Sequence, residues 1–453
     1  MPYEGEFAEY RSIRRLTENE RVKALLQRAK EREAGVDSHL PVLQRSDIQP
    51  SRWQPEMVLS VDGSYQAVLV EKGYPGSEVG YVTVASVLMD VAKIRELDRK
   101  RPADPKIFRS TENATSIDRA FPGCNIVIDD ESSPAASLRK SIFEALADTR
   151  VFSDGESLLD TYEFLFSHRD LAEPSCPHKD GCLSPNGKCT LSKGQFRCNC
   201  LQQNVLYSTD GLRIHEGMVG DSSNGAMFAE IMQTLERLLV IHILRWLEQK
   251  ELLWLLRDMA IVIDGPLAIF GHPAGLLQPF SREIKRLNER AKGYTDGAGI
   301  LLIGVEKTGL FVSHFERLDQ RTDGSGDTFS PQTVALLTDA YIKRNIIFSD
   351  SKKPYGKETY FGRKFFYKTL SGARIVASLP FLDEKHEDVS RAMPHQFPRL
   401  ADALALFDQL ASSRYPNALS PLISANAEAA IPMNLGSRVL EEMAKKLIKQ
   451  RRS

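Results

Sequence analysis

What this sequence lacks narrows its possibilities first. It has no charge excess of either sign: 59 Lys+Arg stand against 60 Asp+Glu, a net charge of −1. Binding of a polyanion through overall positive charge is therefore excluded, and any such contact must come from a local basic patch. Long apolar runs are missing too. The longest candidate, residues 228–247, is interrupted by Glu230, Glu236, Arg237, His242 and Arg245, so it reads as a core helix rather than a membrane span. The first residues, MPYEGEFAEYRSIRRL, are charged and carry no apolar signal core, and the expected location is the cytoplasm. No phosphate-binding G-x-x-x-x-G-K-[ST] loop is present, so any ATP-driven motor must be another chain. No internal repeat is apparent. Cysteine is scarce, and five of the six fall between positions 176 and 200.

What is present is ordinary globular chemistry. The 453 residues are 42% hydrophobic and 26% charged, enough to bury a large core as one domain with insertions or as two. Residues 1–50 are charged with scattered leucines and read as a helical arm with a helix near Glu18–Glu33. Residues 57–70, MVLSVDGSYQAVLV, read as strand, tight glycine turn, strand, and residues 79–91 as the next strand. Ile126–Ile128 is a candidate strand, and Ser133-Pro134 a helix start. Helices are expected over Gly155–His168, Ser223–Gln249, Phe280–Ala291, Gln332–Lys343, Pro398–Ser412 and Gly436–Lys449. Met259–Ile263 reads as a short strand, residues 299–312 as a strand, a turn and a new element, and Tyr360–Tyr367 with Ala373–Leu379 as a hairpin. Strands and helices mix throughout, which gives an α/β or α+β class.

Two segments share one grammar. Val58-Leu59-Ser60-Val61-Asp62-Gly63 and Ala260-Ile261-Val262-Ile263-Asp264-Gly265 each place an Asp at the end of a short apolar strand, before Gly. Functional groups gather where strands of α/β sheets end, and two aspartates on neighbouring strand ends can share divalent cations such as Mg²⁺ or Mn²⁺. The competing reading is a plain Asp-Gly turn, which is the expectation for Asp210-Gly211, Asp296-Gly297 and Asp323-Gly324. A third carboxylate is expected from the long helix. Of Glu230, Glu236 and Glu248, Glu236 is chosen because helical spacing sets it among Met232, Leu239 and Val240, where an unpaired carboxylate is costly. Pairing with a buried Arg is the alternative.

The cysteines follow the spacing Cys176-x5-Cys182-x6-Cys189-x8-Cys198-x-Cys200. Four of them can form a structural Zn²⁺ site that staples an insertion over 174–204; free thiols and disulfides are the alternatives. Cys124 reads as a lone core residue. Arg282, Lys285 and Arg286 line one helix. Arg363 and Lys364 lie in KKPYGKETYFGRKFFYK, where basic residues interleave with rings, a mixture suited to single-stranded DNA or equally to a solvated face over β-strand aromatics.

Together the VDGS segment at 61–64, IVIDGPL at 261–267, LLIGVEKTG at 301–309 and RYPNALSPLISANAEA at 414–429 resemble the NurA-domain nucleases over most of residues 55–430. The resemblance implies an RNase H-like mixed sheet flanked by helices, here with the Cys-rich insertion and with helical additions at 1–50 and 431–453. It implies a Mn²⁺- or Mg²⁺-dependent deoxyribonuclease acting on DNA ends, an exonuclease with scope for endonuclease cutting, in repair or DNA defence. A homodimer and a HerA-type hexameric ATPase partner are implied as well. On this resemblance Asp62 and Asp264 match the strand-end metal ligands, Glu236 the helical Glu, and Lys307 a lysine that would hold a phosphate. Tyr415 matches a Tyr-Pro segment. Asn426 stands where the family has a His; it can ligate a metal but cannot shuttle protons at neutral pH. That departure motivates a rival reading, a catalytically weak DNA-end clamp or ATPase partner on the same fold. A third reading is an unrelated zinc-stapled interaction protein with Asp62 and Asp264 far apart.

Overall fold

Met57 to Glu71 form one uninterrupted strand of 15 residues, so Asp62-Gly63-Ser64 is not the expected turn. The computed structural model describes residues 11–29, 40–51, 53–71, 76–96, 112–129, 131–167, 176, 191–198, 203–321, 326–411, 419–431 and 435–450. The chain divides into two units, 1–39 and 40–453. In the first, α1 (Arg11–Glu18) and α2 (Glu20–Arg28) replace the single expected helix, because Asn19 caps α2 by accepting from the Arg21 and Val22 N–H groups.

In the second unit the strands are β1 (Val42–Gln44), β2 (Met57–Glu71), β3 (Ser77–Asp90), β4 (Glu112–Pro122), β5 (Gln195–Arg197), β6 (Val205–Tyr207), β7 (Met259–Asp264), β8 (Leu301–Glu306), β9 (Thr333–Leu336), β10 (Gly362–Lys368) and β11 (Arg374–Pro380). The helices are α3 (Val91–Glu96), α4 (Pro134–Asp148), α5 (Leu158–Ser167), α6 (Gly225–Gln249), α7 (Leu277–Lys292), α8 (Leu310–Leu318), α9 (Asp339–Asn345), α10 (Glu384–Glu387), α11 (Leu400–Leu410), α12 (Ser420–Ala429) and α13 (Leu435–Gln450). Nine strands make one mixed sheet in the order β1-β9-β10-β11-β8-β7-β2-β3-β4, while β5 and β6 pair apart from it. The pairs β2/β7 and β7/β8 are parallel and the others antiparallel.

Strand alternation sends neighbouring residues to opposite faces. Leu59, Val61, Ile261, Ile263 and Leu302 join a core with Leu235 and Leu239 of α6 and with α4, α5 and α7. Val58, Ala260, Val262, Ile303 and Val305 face α11 and α12 instead. Helix α12 is tied to β2 at two points, where the Ser60 and Ser64 hydroxyls donate to the Pro421 and Ala429 carbonyls. At the head of α4, Ser133 accepts from Ala136 N–H with Pro134 in the first helical turn, as its sequence signals.

Four further expectations change. The helix expected over Gln332–Lys343 divides into β9, buried along its length, and α9, capped by the Thr338 side chain; the apolar run TVALL suits either state. Ile126–Ile128 stays outside the sheet between two left-handed residues, Asn125 (φ 55°) and Asp129 (φ 48°). Residues 42–44 of the expected arm form an edge strand paired with β9. Asp210 is not a turn residue alone: it is buried and paired with Arg139 at 2.7 Å. Among the described residues no helix is long and apolar enough to cross a membrane.

Candidate active site

Parallel pairing of β2 with β7 sets Val61 opposite Ile263, so the next residues, Asp62 within β2 and Asp264 at the end of β7, stand at the same level on neighbouring strands. On the other side of β7, Asp264 is level with Val305 of β8, and Lys307 follows two residues later. Its ammonium lies 2.7 Å from Asp62 Oδ2 and 3.1 Å from Asp264 Oδ1. Asp62 and Lys307, 245 positions apart in the chain, therefore meet beside Asp264 across three adjacent strands. Asp62 is buried, at 2% exposure, while the Asp264 and Lys307 side chains keep 31% and 25% of theirs.

Glu236 reaches this cluster from α6. A Cβ at Gly63 would stand 2.8 Å from Glu236 Oε1 and 2.7 Å from Met232 Cγ, so the missing side chain is what lets helix and carboxylate close on the strand. The other oxygen, Oε2, accepts from Arg237 Nη1 at 3.0 Å. Arg237 also donates to the carbonyls of Asp264, Pro266 and Ala268. Of the two expected readings of Glu236, the structure shows the pairing with a buried Arg, with Oε1 left beside Gly63. Glu230 and Glu248 go elsewhere, to His272 and to Arg286 with Arg290.

Three carboxylates face two cations here, a formal charge of −1, and the buried acids respond. Burial pushes the Asp62 carboxyl up to about 7; Asp264 adds to the rise, and Lys307 and the Gly63 N–H oppose it. Burial likewise raises Glu236 to about 8, against Arg237 and Lys307 and with the help of Asp62 and Asp264. Burial lowers the Lys307 ammonium, but Asp264 and Asp62 more than offset it and hold it above its ordinary value. Asp264 Oδ1 is buried, and the contact it makes here is the 3.1 Å ion pair with Lys307. An all-oxygen donor set short of positive charge fits a hard divalent cation. As it stands, Lys307 takes the space between the aspartates, and no ready cage of three or more His, Cys, Asp or Glu side chains exists among the described residues.

The model of the NurA domain matches residues 56–431. The chain belongs to the NurA domain family. A crystal structure of the NurA nuclease from Sulfolobus solfataricus aligns over 98% of this chain and 92% of that chain, at 10% identity and a TM-score of 0.33. No curated protein matches the chain.

The remaining expected site residues of this NurA domain separate. Asn426 is exposed on α12. Tyr415 lies outside the described residues, as do Cys182, Cys189 and Cys200. Cys176 and Cys198 are buried in one small cluster with Leu206, and Cys124 is buried. The basic patches are mostly corrected. Arg363 is 3% exposed, stacked on Phe397 and donating to the carbonyls of His386, Asp388 and Arg391. Lys364 is also 3% exposed; it pairs with Glu306 at 2.6 Å, 3.6 Å from the Phe311 ring centre. Neither is open to a nucleic acid, and Phe361, Phe365, Phe366 and Tyr367 are core residues. Arg286 is held between Glu248 and Glu283, and Lys285 pairs with Glu387. Arg282 is exposed on α7. Arg237 was not among the expected site residues, although its place next to Glu236 in an apolar helix was the available signal, since a buried Arg needs a partner.

Proposed function

We propose that this NurA-domain chain is a metal-dependent deoxyribonuclease. The observation that carries the reading is the meeting of Asp62 and Asp264 around Lys307 on adjacent strands, with Glu236 close enough beside Gly63 to feel all three charges. Membership of the NurA domain family over residues 56–431 supports the same reading. The run β4-β3-β2-β7-β8, three antiparallel strands followed by two parallel ones, supports an RNase H-like core.

In this reading Asp62, Asp264 and Glu236 Oε1 hold Mn²⁺ or Mg²⁺. Such ions supply Lewis acidity, ease deprotonation of water and stabilise the leaving oxygen. Lys307 moves off the aspartates onto a phosphate oxygen as a point charge. Arg237 keeps Glu236 turned toward the strand ends. The DNA ends would be cut exonucleolytically, with endonuclease cutting as a further capacity, in cytoplasmic DNA repair or defence. A homodimer and a HerA-type hexameric ATPase complete the expected assembly. Structural Zn²⁺ at four of Cys176, Cys182, Cys189, Cys198 and Cys200 belongs to the same reading, supported by the proximity of Cys176 and Cys198; metal analysis of purified protein tests it.

One observation favours a second reading. Lys307 bridges Asp62 and Asp264 as it would in a clamp that binds DNA ends and cuts poorly. End-labelled linear DNA incubated with Mn²⁺, Mg²⁺ or chelator separates the two. The nuclease reading expects degradation with metal, none with chelator and none by the Asp62→Asn, Asp264→Asn double variant. Equal DNA binding under all conditions with no turnover would support the clamp.

A further inference from the structure

We infer that Arg237 is a positioning residue that fixes the spacing between Glu236 and Asp264 for cation binding, an inference that rests on the nuclease reading above. Glu236 belongs to a helix and Asp264 to a strand end, and the two elements must be held in register for their carboxylates to share an ion. Arg237 is 4% exposed. One arm of its fork takes Glu236 Oε2 at 3.0 Å. The rest reaches the turn that leaves β7: Nη2 donates to Asp264 O at 3.4 Å and Pro266 O at 3.2 Å, and Nε to Ala268 O at 3.3 Å. The same guanidinium thus grips the helical acid and the backbone that carries the strand-end acid. By engaging Oε2 it leaves Oε1 beside Gly63, the residue that follows Asp62 in β2. The turn itself depends on Gly265, whose φ of +79° suits glycine.

A planar fork can span these four acceptors, whereas an ammonium is a single point of charge. That difference separates positioning from simple electrostatics. If Arg237 acted only through its charge, it would repel a divalent cation, and a neutral replacement would tighten metal binding. A positioning role predicts the opposite sign, and it predicts that Lys, which keeps the charge, cannot substitute.

Calorimetric titration of Mn²⁺ into the wild type, Arg237→Lys and Arg237→Met decides the matter without DNA or turnover. Both variants are expected to bind Mn²⁺ about 10–100-fold more weakly, the range seen when outer residues that orient a ligand are lost. Wild-type affinity in Arg237→Lys, or tighter binding in Arg237→Met, would overturn the inference. Thermal melts check folding; should Arg237→Met fail to fold, Arg237→Lys carries the test alone. A wild type that binds no Mn²⁺ overturns the nuclease reading and this inference together, which distinguishes that failure from one confined to the variants.

Discussion

Glu236 passes Gly63 so closely that a single added carbon on the glycine would lie 2.8 Å from Glu236 Oε1. The contact explains the glycine without a turn, since β2 runs straight through it. Gly63→Ala is expected to push Glu236 and Met232 away from the strand. The overpacking should cost about 1–3 kcal/mol of stability, measured by denaturant unfolding, and Mn²⁺-dependent cleavage should fall by about 10–100-fold, as for other lost orienting contacts. An alanine variant as active as the wild type would detach Glu236 from the site.

The raised acids make the metal-free protein sensitive to pH. Asp62 moves from 3.8 to about 7 and Glu236 from 4.5 to about 8. Between those limits the native state keeps protons that the unfolded chain has released, so stability falls as pH rises through the window. Melting temperatures in chelator should decline from pH 5 to pH 8 more steeply for the wild type than for Asp62→Asn or Glu236→Gln. Both variants should be the more stable proteins at pH 8, and Mn²⁺ should flatten the wild-type slope. Identical slopes in all three would show that these acids are ionised like any surface carboxylate.

The parts of the site legible in the sequence are those written in local pattern. Asp62 and Asp264 are marked by apolar runs that stop at Asp-Gly, although only β7 ends there, and Glu236 by an acid on an apolar helical stripe. What brings them together is strand order, which no local pattern encodes: β7 pairs beside β2, with Val61 opposite Ile263. The edge strand β4 escaped notice because most of its residues are exposed or half-exposed, so it shows no apolar alternation. Arg363 and Lys364 misled for the converse reason. Their charges sit in a strand buried on both faces, satisfied by carbonyls and Glu306 that lie far away in sequence.

Lys307 offers a separation of binding from turnover. Its ammonium stands between Asp62 and Asp264, so Lys307→Met removes a competitor for the cation as well as a phosphate contact. The variant is expected to bind Mn²⁺ at least as tightly as the wild type yet to lose about 10²–10³-fold in kcat, the scale of a lost electrostatic contact to the reacting group. Titration and single-turnover cleavage measure the two effects. Unchanged kcat would make Lys307 a structural cation only.

The buried basic pair makes a contrary prediction for DNA. Lys364→Met leaves Glu306 unpaired in the interior, a change that costs about 3–5 kcal/mol and is read by denaturant unfolding. Because Lys364 touches no solvent-facing strand path, the slope of log K for DNA against log salt should match the wild type. A shallower slope would return Lys364 to the DNA interface.

If Asp62, Asp264 and Glu236 hold divalent cations once Lys307 gives way, crystals grown with Mn²⁺ will show it by anomalous diffraction. Anomalous peaks are expected within ligand distance of Asp62 and Asp264 carboxylate oxygens and Glu236 Oε1, with the Lys307 ammonium displaced from its bridge. Lys307 still bridging the two aspartates, with Mn²⁺ absent there at saturating concentration, would contradict it.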